Sequence, residues 1–141
     1  MEYRRFNDTL VIRMDRGEEI LATLKTVCEK ENVKLATVSA IGATDEFTVG
    51  VLDVGSKKYI SNDFKGYYEI VALGGNVNTK NGEYYAHLHM CAADKNGVAV
   101  GGHLNRAVIS ATCEMFVNIL DGSVDRKVDE VTGLNIFDFN K

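Results

Sequence analysis

The feature that most constrains the fold is an alternation of apolar and polar residues over 107–119. The odd-numbered positions are all apolar, whereas the even-numbered positions include Ser110, Thr112, Glu114 and Asn118. Successive side chains of a β-strand point to opposite faces, so this period of two is typical of a strand with one buried face. We therefore expect a long half-buried strand here.

Other segments with the same period predict further strands along the chain. They are 3–14, 35–43, 45–54, 57–61, 67–73, the stretch around 84–92, and 98–102. The breaks between them fall at polar or glycine-containing turns, notably Thr44-Asp45, 55–58, 62–66 and the hairpin-type turn 94–97. In the first strand, Leu10, Ile12 and Met14 share one face.

One segment has the period of an amphipathic helix. Asp15-Arg16-Gly17-Glu18 resembles a capping box, with Asp15 as the N-cap and Glu18 reaching back to it. The helix is expected to end near Asn32, a residue that tolerates the left-handed conformation. Its apolar stripe comprises Ile20, Leu21, Leu24, Val27 and Cys28.

Length and composition limit the classes of protein. A chain of 141 residues, 45% of them apolar, suits one domain spanning 1–141. The sequence has no apolar run long enough to cross a membrane and no secretory signal pattern, so a cytoplasmic protein is expected. Three widely spaced cysteines favour a reducing compartment over a disulfide framework. A net charge of -4 disfavours tight autonomous binding to DNA.

The three histidines of the chain lie close together in sequence. His87 and His89 are two residues apart, so on a strand they point to the same face. His103 follows a polar break, and a chain reversal there would bring it beside the pair. Three neutral imidazoles facing one point would form a half-open metal site, for which Zn²⁺ is the leading candidate and another divalent transition metal the alternative.

Four other side chains near this stretch are candidates for chemistry. Glu69 and Glu114 each interrupt an apolar strand pattern, so each is a candidate catalytic carboxylate or, equally, a member of an ion pair. Cys91 shares the face of the histidine pair, but it is expected to be a small buried thiol. Arg106 could bind an anion at the mouth of the site, although a lone arginine beside a strand is more often a surface residue.

Four segments together resemble a known family. They are Tyr68-Glu69-Ile70-Val71-Ala72-Leu73-Gly74-Gly75-Asn76-Val77, His87-Leu88-His89, Gly101-Gly102-His103-Leu104 and Ala111-Thr112-Cys113-Glu114. Their order and spacing are similar to those of the PPC (plants and prokaryotes conserved) domain, in its single-domain prokaryotic form. The same domain follows AT-hooks in a class of plant nuclear proteins.

This resemblance implies an α+β fold with a mixed, mostly antiparallel sheet of about seven strands and one main amphipathic helix packed on it. It also implies a homotrimer, and a metal bound by His87, His89 and His103. The basic AT-hook of the plant members enters the minor groove of DNA, and Arg4-Arg5 does not form such an arm. DNA association is therefore expected to be weak or indirect at most.

Three functional hypotheses remain open from the sequence, and the third of them is direct binding to the nucleoid or to promoter DNA. The first is a zinc-binding homotrimer with a DNA-associated or regulatory role, whose partner is another protein or a small-molecule ligand. The second is a metal-dependent hydrolase or lyase, in which a metal activates water or polarises a carbonyl group and Glu114 or Glu69 moves protons. The tail, with its apolar residues Leu134, Ile136, Phe137 and Phe139, is expected to pack back as a final edge strand or to cover a partner subunit.

Overall fold

The structure is a computed structural model that describes residues 1–140. These residues form one helix and eight strands, and every strand pairing among them is antiparallel. The α+β class, with a mostly antiparallel sheet and one helix, is thus confirmed. The elements are β1 (Glu2–Phe6), β2 (Thr9–Asp15), α1 (Ile20–Lys30), β3 (Ala36–Asp53), β4 (Lys58–Lys80), β5 (Glu83–Ala93), β6 (Ala99–Ile119), β7 (Asp125–Val128) and β8 (Asn135–Asp138).

Six strands form the main sheet, in the order β1-β2-β6-β3-β4-β5. Strand β5 also pairs with β6, so that β3, β4, β5 and β6 form a closed cycle of pairings. The buried apolar side chains form one cluster to which both the sheet and α1 contribute. As predicted, Leu10, Ile12 and Met14 are buried from one face of β2.

The first strand was predicted as one element over 3–14, and this is wrong. The chain reverses at Asn7-Asp8, so that β1 and β2 pair as a hairpin with Phe6 opposite Thr9. Asn7 adopts the left-handed conformation, with φ of 52°. Asparagine is one of the residues that tolerate this conformation in a two-residue hairpin turn. The alternation of apolar and polar residues gave no sign of this chain reversal.

The predicted helix forms, but its N-cap is Glu19 and not Asp15. The Glu18 carboxylate does accept a bond from the backbone N–H of Asp15 (2.8 Å), but that bond closes the turn after β2. The Glu19 carboxylate instead accepts from the N–H groups of Leu21 and Ala22 at 3.1 and 2.7 Å. Beyond the C-terminus of α1, Asn32 is left-handed as predicted, with φ of 54°.

Three predicted strand breaks are absent, because long strands continue through them. Strand β3 covers nearly all of segments 35–43 and 45–54, β4 nearly all of 57–61 and 67–73, and β6 nearly all of 98–102 and 107–119. At the first break Thr44 is fully buried, and its hydroxyl donates to the carbonyl oxygen of Val108 at 2.6 Å. β-Bulges beside Thr44 allow β3 to continue past the polar residues that suggested a turn.

The tail does not form an edge strand of the main sheet. Strand β8 pairs with β7 in a separate two-stranded unit, here called the C-terminal ribbon. The ribbon is held to the main sheet where Thr79 and Asn78 both donate to the carbonyl oxygen of Val124, at 3.3 and 3.0 Å. Phe139, which follows the ribbon, is 80% exposed.

Among residues 1–140, the single helix α1 is too short to span a lipid bilayer.

Candidate metal centre

The three histidines converge on one point of the outer sheet surface. His87 and His89 lie on one face of β5, and His89 is the direct cross-strand partner of His103 on β6. One ligand atom from each of the three rings lies within 4.8 Å of the others. The Nε2 atoms of His87 and His89 are 3.2 Å apart. We call these three residues the histidine triad.

The turn between β5 and β6 brings the third ring into place. The Asp94 carboxylate accepts from the backbone N–H groups of Asn96 and Val98 at 2.8 and 2.9 Å. Gly97 supplies the left-handed backbone, with φ of 77°. This local chemistry makes 94–97 the predicted hairpin-type turn and sets the register in which His103 meets His89.

Glycines allow the strands beside the triad to approach closely. A Cβ at Gly75 would overlap the carbonyl oxygen of His87, and one at Gly101 would overlap that of Met90. A Cβ at Gly102 would lie 2.7 Å from the carbonyl oxygen of Gly50. The glycines therefore serve strand packing.

Burial favours the neutral form of two triad members. It lowers the pKa of the His87 imidazole below its usual value, and His103, Arg126 and His89 lower it further by charge repulsion. Burial, followed by repulsion from His89, likewise lowers the pKa of His103. Metal ions bind neutral imidazole, so the lowered pKa values of His87 and His103 favour the form of these two rings that could coordinate an ion.

The triad suits a tetrahedral ion. Two nitrogen atoms that each lie about 2.0 Å from a tetrahedral Zn²⁺ are about 3.3 Å from one another. The separation of 3.2 Å between His87 and His89 fits this geometry. Three imidazole ligands also leave a fourth position for water or a ligand, which is the usual form of an open zinc site.

The triad opens into a cavity of about 850 Å³, here called the triad pocket. Tyr59 forms part of its wall and meets the ring of His103 edge-on, with 6.3 Å between ring centroids. The Tyr59 hydroxyl donates to the side chain of Asn105 at 2.7 Å, which fixes the ring in that position. The C-terminal ribbon contributes Arg126, Ile136 and Phe137 to the wall, and Leu134, just before β8, lines it as well.

The other sequence candidates lie outside this pocket. Glu114 lines a separate cavity beside β1 and β2, and Glu69 lines a third one beside Asp94 and Lys95. Arg106 forms an exposed ion pair with Glu46 at 2.9 Å. Cys91 is half-buried and does not belong to the group of converging ligand atoms.

Sequence reasoning missed Tyr59 and Arg126. Both lie far from the histidines in the chain and reach the pocket only through pairing and ribbon packing. The sequence did contain one signal for Arg126. It lies two residues from both Val124 and Val128, so on a strand the arginine would point to the same face as the two valines.

The fold and the triad define a small antiparallel β-domain that presents three histidines to one open pocket. The family model of the Plants and Prokaryotes Conserved (PCC) domain, also written PPC, matches residues 1–121. The chain therefore belongs to this family. The C-terminal ribbon lies beyond the matched residues.

Solved structures share the fold over nearly the whole chain. A protein from Bacteroides thetaiotaomicron, provisionally named as DNA-binding, has a TM-score of 0.96 at 26% identity, covering 99% of this chain and 98% of its own. A metal-containing protein from Archaeoglobus fulgidus has a TM-score of 0.87 at 31% identity, covering 96% of each chain. A PPC protein from Pyrococcus horikoshii has a TM-score of 0.85 at 28% identity, covering 99% and 95%. No curated protein matches the chain significantly.

Proposed function

We propose that this PCC-domain protein binds one Zn²⁺ per subunit through His87, His89 and His103, and that it acts as a homotrimeric binding or regulatory protein. The observation that carries the proposal is the convergence of three imidazoles, with ligand atoms within 4.8 Å, at the floor of an open pocket. The metal-containing relative from Archaeoglobus fulgidus supports it.

The metal assignment is tested by elemental analysis of purified protein. We expect about one zinc per chain in the wild type and none in the His87→Ala/His89→Ala variant, because one remaining imidazole cannot hold the ion. Cys91→Ala is the matched control, since it removes a potential ligand from the same strand and should leave zinc content unchanged. Undiminished zinc in the double variant would refute the assignment, and a different bound metal would correct its identity.

The homotrimer is supported by apolar side chains exposed on the outer sheet surface. Ile41 and Phe116 lie on the same outer face of neighbouring strands and are 57% and 46% exposed. Val71, on the adjacent strand, is 51% exposed. Burial of such a patch against other copies of the chain would remove it from water.

Light scattering tests this assembly. We expect a mass three times that of the 15.5 kDa chain. Ile41→Lys should dissociate it by placing a charge in the interface, whereas Val131→Lys, at an exposed position between β7 and β8, should not. A monomeric wild type would exclude the homotrimer.

We propose that any association with DNA is weak or indirect. Relatives provisionally named as DNA-binding motivate the question. The net charge of -4 opposes binding to phosphates. Gel shifts at low salt decide the point, because phosphate contacts are strongest there. A salt-sensitive shift at submicromolar protein would contradict the proposal.

A metal-dependent hydrolase or lyase is the alternative, and the size of the triad pocket favours it. A bound zinc would there polarise a carbonyl group or activate water. Glu69 and Glu114 line other cavities of the same chain, so either could serve only if assembly brought it to the pocket of a neighbouring copy. Ester hydrolysis that requires zinc and is lost in His103→Ala would support this alternative; turnover equal to that of free zinc would count against it.

A further inference from the structure

Arg126 is an arginine buried inside the protein, with only 4% of its surface exposed. Its Nε donates to the side-chain oxygen of Asn78 at 3.0 Å, and one terminal nitrogen donates to that of Asn76 at 2.8 Å. The other terminal nitrogen donates to the backbone oxygen of Asn135 at 2.6 Å. All three acceptors are uncharged.

The guanidinium lies between two aromatic rings. Its central carbon is 4.6 Å from the ring centroid of Tyr85 and 4.5 Å from that of Phe137. The two aromatic rings attract the guanidinium cation from both of its faces and hold it in a fixed position. Burial lowers the pKa of Arg126 below its usual value, yet an arginine side chain remains protonated in proteins.

No carboxylate within residues 1–140 forms an ion pair with Arg126, including the half-buried Asp125 and the buried Asp138 of its own ribbon. A buried charge without a counter-ion is costly, and neutral acceptors compensate it only in part. A guanidinium has more N–H groups than the three used here, so donors remain for an anion. Arg126 also lines the triad pocket, from which a ligand could reach this charge.

The position of Arg126 connects this charge to the histidine triad. Asn76, which accepts from the guanidinium, is the cross-strand partner of His87. Tyr85, on which the guanidinium stacks, lies two residues before His87 on the same face of β5. Arg126 and the triad line one continuous pocket.

We propose that the triad pocket binds a small organic acid, with its carboxylate paired to Arg126 and its remaining atoms directed toward the histidine triad. The planar guanidinium suits a carboxylate, because its N–H groups are arranged in a fork that can bind both oxygen atoms. Apolar side chains on both walls favour an acid with an apolar body. They are Val51, Leu52, Val54, Leu134, Ile136 and Phe137.

A purely structural role accounts for part of the arrangement. Three hydrogen bonds and two stacked rings would also hold the C-terminal ribbon against the sheet. No uncharged natural side chain has three N–H donors in this arrangement, so the structural role can account for the choice of arginine. It leaves the buried positive charge without a counter-ion, and a ligand carboxylate would supply one.

The far end of the ligand would meet the metal of the histidine triad, and in this respect the inference rests on the proposed function. The first test therefore uses metal-free protein, in which only the contact with Arg126 is measured. Calorimetry compares 3-phenylpropionate with its uncharged analogue 3-phenylpropionamide. We expect the carboxylate to bind metal-free wild-type protein at least about tenfold more tightly, as a hydrogen-bonded charge pair should. Equal affinities would overturn the inference.

Two further measurements assign the preference to Arg126. In Arg126→Gln, the carboxylate should lose its advantage while the amide binds as before; Arg16→Gln, at an exposed position outside the pocket, should retain the preference. If Arg126→Gln fails to fold, the side-chain Nε resonance of Arg126 in the wild type decides. It should shift when the pocket is saturated with carboxylate, and an unchanged resonance would overturn the inference.

The outcomes for the metal and for the acid are separable. Carboxylate binding that depends on Arg126, in a protein that takes up no zinc, would support the acid site and reject the metal site. Zinc bound by the triad, with no preference for carboxylate over amide in metal-free protein, would retain the metal site and reject the acid site.

Discussion

His89 and His103 face each other directly across the pairing of β5 and β6, with ring centroids 5.5 Å apart and ring planes perpendicular. The convergence of the triad depends on this register, because a slip of one residue would carry His103 to the opposite face of the sheet. Changes that disturb the strands beside this pair should therefore reduce metal affinity as well as stability.

Gly102 offers a direct test of that dependence. A Cβ in Gly102→Ala would lie 2.7 Å from the carbonyl oxygen of Gly50, so β6 must move away from β3 next to His103. We expect a loss of about 1–3 kcal/mol in the free energy of unfolding and weaker zinc binding. Urea denaturation and a zinc competition titration measure the two effects.

Gly74→Ala is the matched control for this substitution. Gly74 is the cross-strand partner of His89, but the nearest atom to an added Cβ is 3.8 Å away, an ordinary contact distance. Stability and zinc affinity should both remain near the wild-type values. Equal losses in the two variants would show that close packing at Gly102 is not what holds the triad in register.

The lowered pKa values of His87 and His103 predict a pH dependence for the proposed zinc binding. Protons compete with the metal only where the imidazoles titrate, so affinity should stay nearly constant down to about pH 6.5 and decline below it. Competition titrations across this range test the expectation. A decline beginning above about pH 8 would instead point to a thiolate ligand, and Cys91→Ala would then change the profile.

Metal-free protein should become less stable on mild acidification. Between the lowered pKa values of folded His87 and His103 and the value of about 6.5 in the unfolded chain, the unfolded state binds more protons. Stability from these groups is thus complete above about pH 6.5 and is lost as the pH falls toward the folded pKa values. Urea denaturation in the presence of a chelator measures the change.

The control for this prediction is the His87→Gln/His103→Gln variant. It lacks both titrating groups, so its stability should decline less between about pH 7.5 and 5.5 than that of the wild type. Parallel declines in the two proteins would mean that other groups cause the loss.

Glu19 should be the residue on which the start of α1 depends. Its carboxylate accepts from Leu21 and Ala22 and also from the backbone N–H of Ala107 on β6, at 3.1 Å. Glu19→Ala should reduce the free energy of unfolding by about 1–2 kcal/mol. Glu29→Ala, which removes only an exposed ion pair with Lys25, should cost much less; similar losses would contradict the capping role.

Burial was predicted from the sequence more accurately than the ends of the strands. Alternation identified the buried face of β2 and most of that of β6, because a half-exposed strand must alternate wherever it lies. It failed at Thr44, where a polar residue suggested a turn. Thr44 instead remains within β3 because Val108, distant in sequence, accepts its hydroxyl hydrogen bond.

For the site, local spacing was sufficient for some residues and not for others. Two histidines two residues apart on a strand share a face whatever surrounds them. The DKNG sequence of the 94–97 turn likewise contains the aspartate and the glycine that reverse the chain. The placement of Tyr59 and Arg126 depends on strands that meet across large separations in the chain. No local pattern reports such a meeting.

The sequence by itself determined the periodicity of each element, the apolar stripe of α1, the family, and the shared face of His87 and His89. These properties follow from backbone geometry within a few residues. Tertiary structure alone decided that β3, β4 and β6 run unbroken, that Glu69 and Glu114 lie away from the triad pocket, and that a buried arginine lines it. Each of these outcomes depends on hydrogen bonds and packing between segments far apart in the chain, whose energies no single segment contains.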